Sequence, residues 1–153
     1  MAVLFIAIKK LYMKKIIVLS LIIVLAFANQ SFYQQTPNKE SYENGKSLYS
    51  TYCQSCHMED GVGVEAVYPP LAKAGNLADK NKMVKIILQG MRGKSVVKGI
   101  TYETEMVPIS MTDKEVADVI NYIRNSWGNK APYIKVADVV AAKKAVVKGY
   151  TAF

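Results

Sequence analysis

The feature that most constrains this chain is the pentapeptide Cys53-Gln54-Ser55-Cys56-His57. It contains both cysteines and the single histidine of a sequence of 153 residues. Thiols and imidazole at such short spacing indicate redox, metal or covalent attachment chemistry. Each of these uses demands something different from the remaining residues, so the rest of the sequence decides between them.

Three uses of the pentapeptide fit the chain poorly. A structural zinc site needs four ligands, usually cysteine and histidine, and the sequence supplies three such residues. A thioredoxin-like dithiol follows a strand, whereas the residues before Cys53 have helical spacing. A disulfide between Cys53 and Cys56 suits an exported protein but leaves His57 without a role.

Covalent haem attachment accounts for all three side chains. Two thiols three residues apart can add to the two vinyl groups of one haem, and the adjacent imidazole then lies beneath the iron as its fifth ligand. We therefore predict one haem c, attached through Cys53 and Cys56, with His57 as an iron ligand.

The sixth iron ligand is predicted by elimination, because the chain has no second histidine. Met58 adjoins His57 and cannot reach the opposite haem face. Met83 and Met91 belong to a helical pattern or its end, and Met111 precedes a helix start. Met106 lies in a segment without helical periodicity, where a loop can bring a thioether over the ring. We predict Met106 as the ligand, and an open sixth site is the alternative.

Residues 1–28 have the form of a secretory signal peptide, with an N-terminal membrane anchor as the alternative. Lys14 and Lys15 precede the apolar stretch Ile16–Phe27, and Ala26-Phe27-Ala28 offers a small-x-small cleavage pattern. Met13 directly before the lysines could be the true start. The prediction is export to the periplasm, as a soluble protein or one tethered to the inner membrane. Residues 29–40 are polar and aperiodic, which is typical of a linker.

The surface charge of the remaining chain is modest. The formal net charge of +8 falls to +4 once the four lysines of residues 1–28, which carry no acid, are set aside. A mildly basic surface favours docking to acidic proteins. The chain has no long Lys/Arg run and no basic-aromatic pattern, so we predict no nucleic-acid partner.

Apolar periodicity predicts helices over residues 41–53, 79–89 and 112–127, ended in the last two cases by Gly90 and Gly128. Tyr68-Pro69-Pro70-Leu71 is predicted to be extended, and residues 94–102 to form a small hairpin or a loop. A further short helix is predicted near residues 136–148, packed outside the main domain.

These residues together resemble a class I cytochrome c domain, of the monohaem kind also found fused to copper nitrite reductases and quinoprotein dehydrogenases. The resemblance covers residues 41–128 and leaves residues 129–153 as a C-terminal extension. The residues that carry it are Gly45, the Cys53–His57 motif, Pro69-Pro70-Leu71, Met106 with Pro108, and Asn121–Gly128. One departure is Val107, because members of this family usually have proline directly after the ligand methionine.

The resemblance implies an all-α fold, the cytochrome c fold, with helices wrapped around one covalently bound haem. It implies that Gly45 and Tyr49 of the first helix cross Val119 and Tyr122 of the last. It also implies that the carbonyl of Pro69 accepts the Nδ1 proton of His57 and so orients the ring.

The predicted function is one-electron transfer between redox proteins of a respiratory chain, without enzymatic activity. The donor and acceptor would bind transiently, with the protein a monomer or a subunit of a respiratory complex. One alternative is a haem peroxidase or gas sensor with an open sixth site, for which Arg92 is the nearest polar candidate by sequence order. Another is a cytochrome subunit of a larger dehydrogenase or oxidase complex.

Overall fold

The computed structural model describes residues 38–153, together with the isolated positions Met13, Lys15, Ile16 and Ser20. The predicted signal or anchor over residues 1–28 and most of the predicted linker therefore lie outside the described residues. Within the described residues, no helix has the length and apolarity needed to cross a membrane. The second of the chain's two structural units, Lys39–Phe153, contains the elements that form the site.

The described part of the chain is mostly helical, with one small two-stranded sheet. Helix α1 is described over residues 38–52. The elements after it are α2 (Gln54–His57), a short 3-10 helix (Gly75–Ala78), α3 (Lys80–Gln89), β1 (Ser95–Val97), β2 (Ile100–Tyr102), α4 (Asp113–Ile123) and α5 (Val136–Lys144). This arrangement is compatible with the predicted all-α cytochrome c fold.

The two longer internal helices begin at side-chain caps. Asp79 accepts a hydrogen bond from the backbone N–H of Lys82 at 3.0 Å and starts α3. Thr112 and Glu115 form the reciprocal capping box that starts α4. Each cap satisfies backbone donors that have no partner inside the helix. The predicted helix starts at these two positions are thus confirmed.

Residues 95–102 form a hairpin, the first of the two predicted outcomes for this stretch. Strands β1 and β2 pair antiparallel, with Val97 opposite Ile100. Lys98 and Gly99 between them both have positive φ, 51° and 82°, as a two-residue hairpin turn requires. Val97 and Tyr102 face the core and are buried.

Helix α4 ends at Ile123, four residues earlier than predicted, and Gly128 is not its stop. Side-chain amides here donate hydrogen bonds to carbonyls at the end of the helix in place of backbone N–H groups. Asn125 Nδ2 donates to the carbonyl of Asn121 at 3.0 Å, and Asn129 Nδ2 donates to that of Ile123 at 2.8 Å. Trp127, at φ 52°, is therefore presented from a turn and not from the helix.

Helices α1 and α4 cross at Gly45, as the resemblance implies. A Cβ atom at position 45 would lie 2.0 Å from the carbonyl oxygen of Asp118 and 2.8 Å from Cβ of Tyr122. Only glycine allows this approach. Val119 and Ile120 beside the crossing are completely buried, so α4 lies at the centre of the core.

Helix α5 is shorter than predicted and lies inside the folded unit, so the prediction that it packs outside the main domain is wrong. Val139 and Ala142 are completely buried against α3 and α4. The chain leading into α5 is anchored by buried Asn121, whose amide accepts from the N–H of Ile134 at 2.8 Å and donates to its carbonyl at 3.0 Å. Apolar burial and a satisfied buried amide together hold this segment in place.

Candidate haem site

The two cysteines and the histidine share one helical turn at the end of α1. The carbonyl of Cys53 accepts hydrogen bonds from the N–H groups of Cys56, at 3.2 Å, and His57, at 2.9 Å. Residues three apart in such a turn lie on the same face. Cys53 is buried and Cys56 is half-buried, and both are free thiols. The turn therefore presents two unpaired thiols side by side, as attachment to one haem requires.

The imidazole of His57 is oriented by the carbonyl of Pro69. Its Nδ1 lies 2.9 Å from that oxygen, which can only accept, so Nδ1 carries the proton. Burial lowers the pKa of His57, partly opposed by this hydrogen bond. The ring is therefore neutral near pH 7, with the lone pair of Nε2 available to a metal. This contact is the one that the resemblance implies.

The loop between His57 and Pro69 is closed by backbone hydrogen bonds. The N–H of Gly63 donates to the carbonyl of His57 at 3.0 Å, and Val64 pairs with Tyr68 in both directions. Gly63 has φ +66°, and a Cβ there would lie 2.2 Å from the carbonyl oxygen of Tyr68. Glycine at this position thus lets the loop fold back far enough to place the Pro69 carbonyl beside the imidazole.

Two aromatic side chains hold the turn after His57, a role that the sequence reasoning missed. The buried Tyr49 hydroxyl donates to the carbonyl of Met58 at 2.6 Å, and burial raises the pKa of this phenol above its ordinary value. Trp127 Nε1 donates to the carbonyl of Glu59 at 3.1 Å. Met58 needs such support because its φ is 63°, which is unfavourable for any residue other than glycine.

The sequence offered a partial signal for this pair. Tyr49 precedes Cys53 by four residues, and Trp127 lies in the closing stretch of the resemblance, but helical periodicity alone indicates only packing for both rings. Their rings do pack, with centroids 4.9 Å apart. Periodicity does not show the hydrogen bonds of the hydroxyl and the indole N–H. A buried Tyr or Trp usually has such a partner, which is the signal that could have indicated this role.

The pKa of the Cys53 thiol is raised, whereas a redox nucleophile has a lowered one. Burial, followed by the proximity of Cys56, raises its pKa to about 12. Reactive dithiols depend on a lowered thiolate pKa at an electropositive, partly exposed position. The thioredoxin-like alternative therefore receives no support from the buried setting of Cys53.

Met106 lies on a different segment from the other predicted site residues. It is half-buried, and its backbone pairs with Met91 through two hydrogen bonds of 2.8 Å. In the part of the chain that the structure describes, no hydrogen bond joins Met106 to Cys53, Cys56, His57 or Pro69. Met83 is buried in α3 and acts as a packing residue.

An open cleft of about 500 Å³ lies beside this region. Its lining residues are Asp60, Val62, Glu65, Pro70, Ala72, Lys73, Lys98, Ile100, Tyr102 and Trp127. None of the five predicted site residues lines it, but Pro70 directly follows Pro69, and Trp127 binds the turn after His57.

The donor set fits haem c. Two free thiols on one turn match the two vinyl groups, and a neutral imidazole with its Nδ1 already engaged matches an axial ligand. A bare metal ion fits less well, since the described residues contain no group of three or more Cys, His, Asp or Glu side chains able to hold one.

Comparison with known proteins agrees with this donor set. Cytochrome c-552 of Thermus thermophilus is 31% identical over 94 residues, which are 56% of this chain and 70% of that protein. The cytochrome c subunit of alcohol dehydrogenase (quinone) from Gluconacetobacter polyoxogenes is 35% identical over 103 residues, 62% of this chain and 21% of that subunit. The gluconate 2-dehydrogenase cytochrome c subunit of Pantoea cypripedii is 33% identical over 105 residues. The chain spans 24% of that subunit, so the match to both dehydrogenase subunits covers a minor part of their length.

The family profile described as Cytochrome c matches residues 42–127, which include the pentapeptide, Pro69 and Met106. This span is more than half of the chain and coincides with the helices and loops that form the candidate site. The chain therefore belongs to the cytochrome c family, whose members bind haem c covalently and transfer electrons.

Proposed function

We propose that this protein is a one-electron carrier in which Cys53 and Cys56 hold a single haem c, with His57 and Met106 as the axial ligands. The observation that carries the proposal is the contact between His57 Nδ1 and the Pro69 carbonyl, 2.9 Å long, on the same turn as two free thiols. When bound, the haem supplies an iron that changes its charge by one electron. The protein contributes attachment, ligands and a fixed environment.

The His57 side of the site supplies a ligand whose orientation does not change. Pro69 fixes the ring plane, while Tyr49 and Trp127 fix the chain directly after it. A hydrogen bond to Nδ1 also raises the basicity of Nε2 as a ligand. This preorganised arrangement suits a carrier, because electron transfer is fastest where little has to move.

Met106 supplies the second ligand in this proposal. A thioether opposite an imidazole raises the reduction potential relative to harder ligands. With His57 and Met106 both holding the iron, oxygen and other small molecules would have no place to bind it. The half-buried setting of Met106 is consistent with a side chain that covers one face of a cofactor.

We further propose that the protein is a carrier and not a peroxidase or gas sensor. Ligand activation needs a polar group inside a distal pocket. The single histidine is engaged with Pro69, and the side chain of Arg92 is exposed. The arrangement of the described residues thus favours electron transfer over enzymatic use of the iron.

For location and partners, we propose a periplasmic protein that accepts electrons from a dehydrogenase and passes them to another redox protein. Support comes from the signal-like residues 1–28 and from the two relatives that are cytochrome c subunits of dehydrogenases. The modest positive charge favours brief docking to acidic surfaces. Membership of a stable dehydrogenase complex is the second candidate, and co-purification distinguishes it from a free carrier.

The test is expression in a bacterium that matures c-type cytochromes, with the Cys53→Ala, His57→Ala and Met106→Ala variants. We expect a coloured protein whose haem stays attached in denaturant and is lost when Cys53→Ala is combined with Cys56→Ala. Met106→Ala should lose the methionine-to-iron charge-transfer band at the red end of the visible spectrum. Its midpoint potential should fall by on the order of 0.1 V.

The matched control is Met83→Leu, which replaces a buried methionine of α3 at nearly constant volume and should keep the band and the potential. A colourless wild-type protein with two alkylatable thiols would overturn the proposal as a whole. An unchanged band in Met106→Ala would overturn the sixth-ligand assignment alone.

A further inference from the structure

The segment that carries Met106 is bound to residues 87–92 by backbone hydrogen bonds, one of which runs from the N–H of Ile109 to the carbonyl of Ile87 at 2.8 Å. Met91 donates to the carbonyl of Met106 and accepts from its N–H, both at 2.8 Å. This isolated antiparallel bridge is the direct backbone support of the proposed ligand. Whatever holds residues 89–92 therefore also holds Met106.

The opposite edge of residues 89–92 pairs with residues 150–153, which we call the strap. The N–H of Arg92 donates to the carbonyl of Thr151 at 3.2 Å, and the N–H of Phe153 donates to the carbonyl of Gln89 at 3.1 Å. Residues 89–92 are thus a central strand-like segment with Met106 on one edge and the strap on the other. Neither neighbour belongs to a regular sheet.

A tyrosine side chain adds to the backbone pairing. The half-buried Tyr150 hydroxyl lies 2.8 Å from the carbonyl of Gly90 and 3.1 Å from that of Lys85, and donates to these groups at the end of α3. One phenol thus binds the carbonyls where α3 stops and residues 89–92 begin. At the same place the N–H of Phe153 satisfies the carbonyl of Gln89, which has no partner inside the helix.

Gly90 is the point at which the strap and the Met106 segment meet. A Cβ atom there would lie 2.4 Å from the carbonyl oxygen of Met106, 2.7 Å from Cβ of Phe153 and 2.9 Å from Cδ of Pro108. The three segments are therefore in van der Waals contact at one residue. A displacement of the strap changes the space available to the Met106 backbone directly.

We propose that the strap, residues 150–153, positions Met106 as the sixth haem ligand by holding residues 89–92 against the Met106 segment. The inference rests on the proposed function, in which Met106 is a ligand. Tyr150 is a positioning residue here, and its side chain acts through Gly90 and not on the iron. The strap lies beyond residues 42–127, the part of the chain that matches the family, so this support is additional to the shared domain.

The experiment uses the protein with its haem attached and compares deletion of residues 150–153, Tyr150→Phe, Tyr133→Phe and Met106→Ala. The first measurement is the affinity of the ferric protein for added imidazole, which competes with the methionine for the iron. The second is hydrogen exchange at the backbone amides of Met91 and Met106, which reports opening of the bridge without reference to the iron.

We expect the deletion to bind imidazole at least tenfold more tightly and to exchange both amides at least tenfold faster. Tyr150→Phe should show about a fivefold change in both, as the loss of one net hydrogen bond gives. Tyr133→Phe is the matched control, the same substitution in the same extension, and should stay within twofold of the wild type. A merely structural role would lower the melting temperature without changing the imidazole affinity at temperatures where the protein is folded.

The outcomes separate the inference from the function on which it rests. If Met106→Ala loses the charge-transfer band while the deletion leaves affinity and exchange within twofold, the strap inference is wrong and the ligand assignment stands. If Met106→Ala keeps the wild-type band, the ligand assignment fails and the inference fails with it. If the deletion variant does not fold, Tyr150→Phe decides, and an unchanged affinity there overturns the inference.

Discussion

The two proposed axial ligands are supported by different kinds of interaction. His57 lies on a helical turn whose surroundings are fixed by particular side chains, since Tyr49 and Trp127 each bind a carbonyl directly after it. Met106 is held through backbone pairing with Met91, and its neighbour Val107 is 60% exposed. The His57 side therefore depends on the identity of a few residues, while the Met106 side depends on pairing that many sequences can form.

This difference has a consequence for dynamics. Segments with few buried contacts and irregular pairing open at a lower free energy than the core. The Met106 segment has that character, whereas the turn of His57 is continuous with the α1–α4 crossing. Local opening should thus expose the Met106 face of the site first and leave the attached side intact.

The largest effect is expected from Gly45→Ala, which tests whether the His57 side depends on the helix crossing. The added Cβ would lie 2.0 Å from the carbonyl oxygen of Asp118, so α1 and α4 must separate. We expect a loss of about 3 kcal/mol or more in the free energy of unfolding. Urea unfolding followed by circular dichroism measures it.

Gly75→Ala is the control for this substitution, because a Cβ at position 75 meets no atom within 4 Å. It should change the free energy of unfolding by no more than about 0.5 kcal/mol. Equal losses in the two variants would show that the crossing is not the constraint that the geometry indicates.

A smaller effect is expected from Gly63→Ala compared with Gly93→Ala. Both glycines have positive φ, +66° and +84°, but a Cβ at Gly63 meets Tyr68 and Pro69 whereas one at Gly93 meets nothing within 4 Å. Both variants should lose about 1–2 kcal/mol for the conformation alone. Gly63→Ala should lose about 1 kcal/mol more through crowding and should speed exchange of the His57 Nδ1 proton, measured by NMR. Identical stability and exchange in the two variants would show that the imidazole contact does not depend on Gly63.

Much of the His57 side could be predicted from the sequence because its signals are local. The pentapeptide, the cap at Asp79 and the capping box at Thr112 and Glu115 each lie within a few residues of one another. Short-range hydrogen bonds of this kind depend little on the remainder of the fold. His57 and Pro69 are twelve residues apart in the sequence, and their contact is implied only by the resemblance.

The support of the Met106 side could not be predicted in the same way. The strap pairs with residues some sixty positions away through backbone groups, which leave no pattern of side chains in the sequence. Helix α5 gave a misleading signal for a related reason. Its valines occur on several faces, so that Val139 is completely buried while Val136 and Val140 are exposed. Without a single apolar stripe, periodicity cannot show that a helix belongs to the core.

Tyr49→Phe should have an intermediate effect and tests the polar part of the His57 side alone. The substitution keeps the ring packing with Trp127 and removes the hydroxyl that binds the Met58 carbonyl. Because the carbonyl of Met58 then keeps only the hydrogen bond from the N–H of Gly61 at 3.2 Å, we expect a loss of about 1 kcal/mol in unfolding free energy. Tyr52→Phe, at a tyrosine that is 48% exposed, is the control and should have little effect. An equally small effect at Tyr49 would mean that packing alone supports the turn.

The smallest effect is expected at the ion pair between Lys80 of α3 and Asp138 of α5. Hydrogen bonding to Lys80, and then to the N–H of Lys135, lowers the pKa of Asp138 below its ordinary value of 3.8. A carboxyl whose pKa is lowered on folding stabilises the folded state above its ordinary pKa. That contribution is lost as the pH falls through the lowered value. Because both side chains are partly exposed, at 42% and 32%, the pair should contribute less than about 1 kcal/mol.

Asp138→Asn should accordingly be slightly less stable than the wild type at pH 7, and the difference should shrink as the pH is lowered below about 4. Urea unfolding at a series of pH values measures it. Lys94 and Glu103 form a comparable surface pair in the hairpin, so Glu103→Gln is the control for a lost exposed ion pair. If α5 is part of what steadies the Met106 side, Asp138→Asn should also speed amide exchange at Met91, while Glu103→Gln should not. Unchanged exchange at Met91 in Asp138→Asn would show that this ion pair does not contribute to the support of Met106.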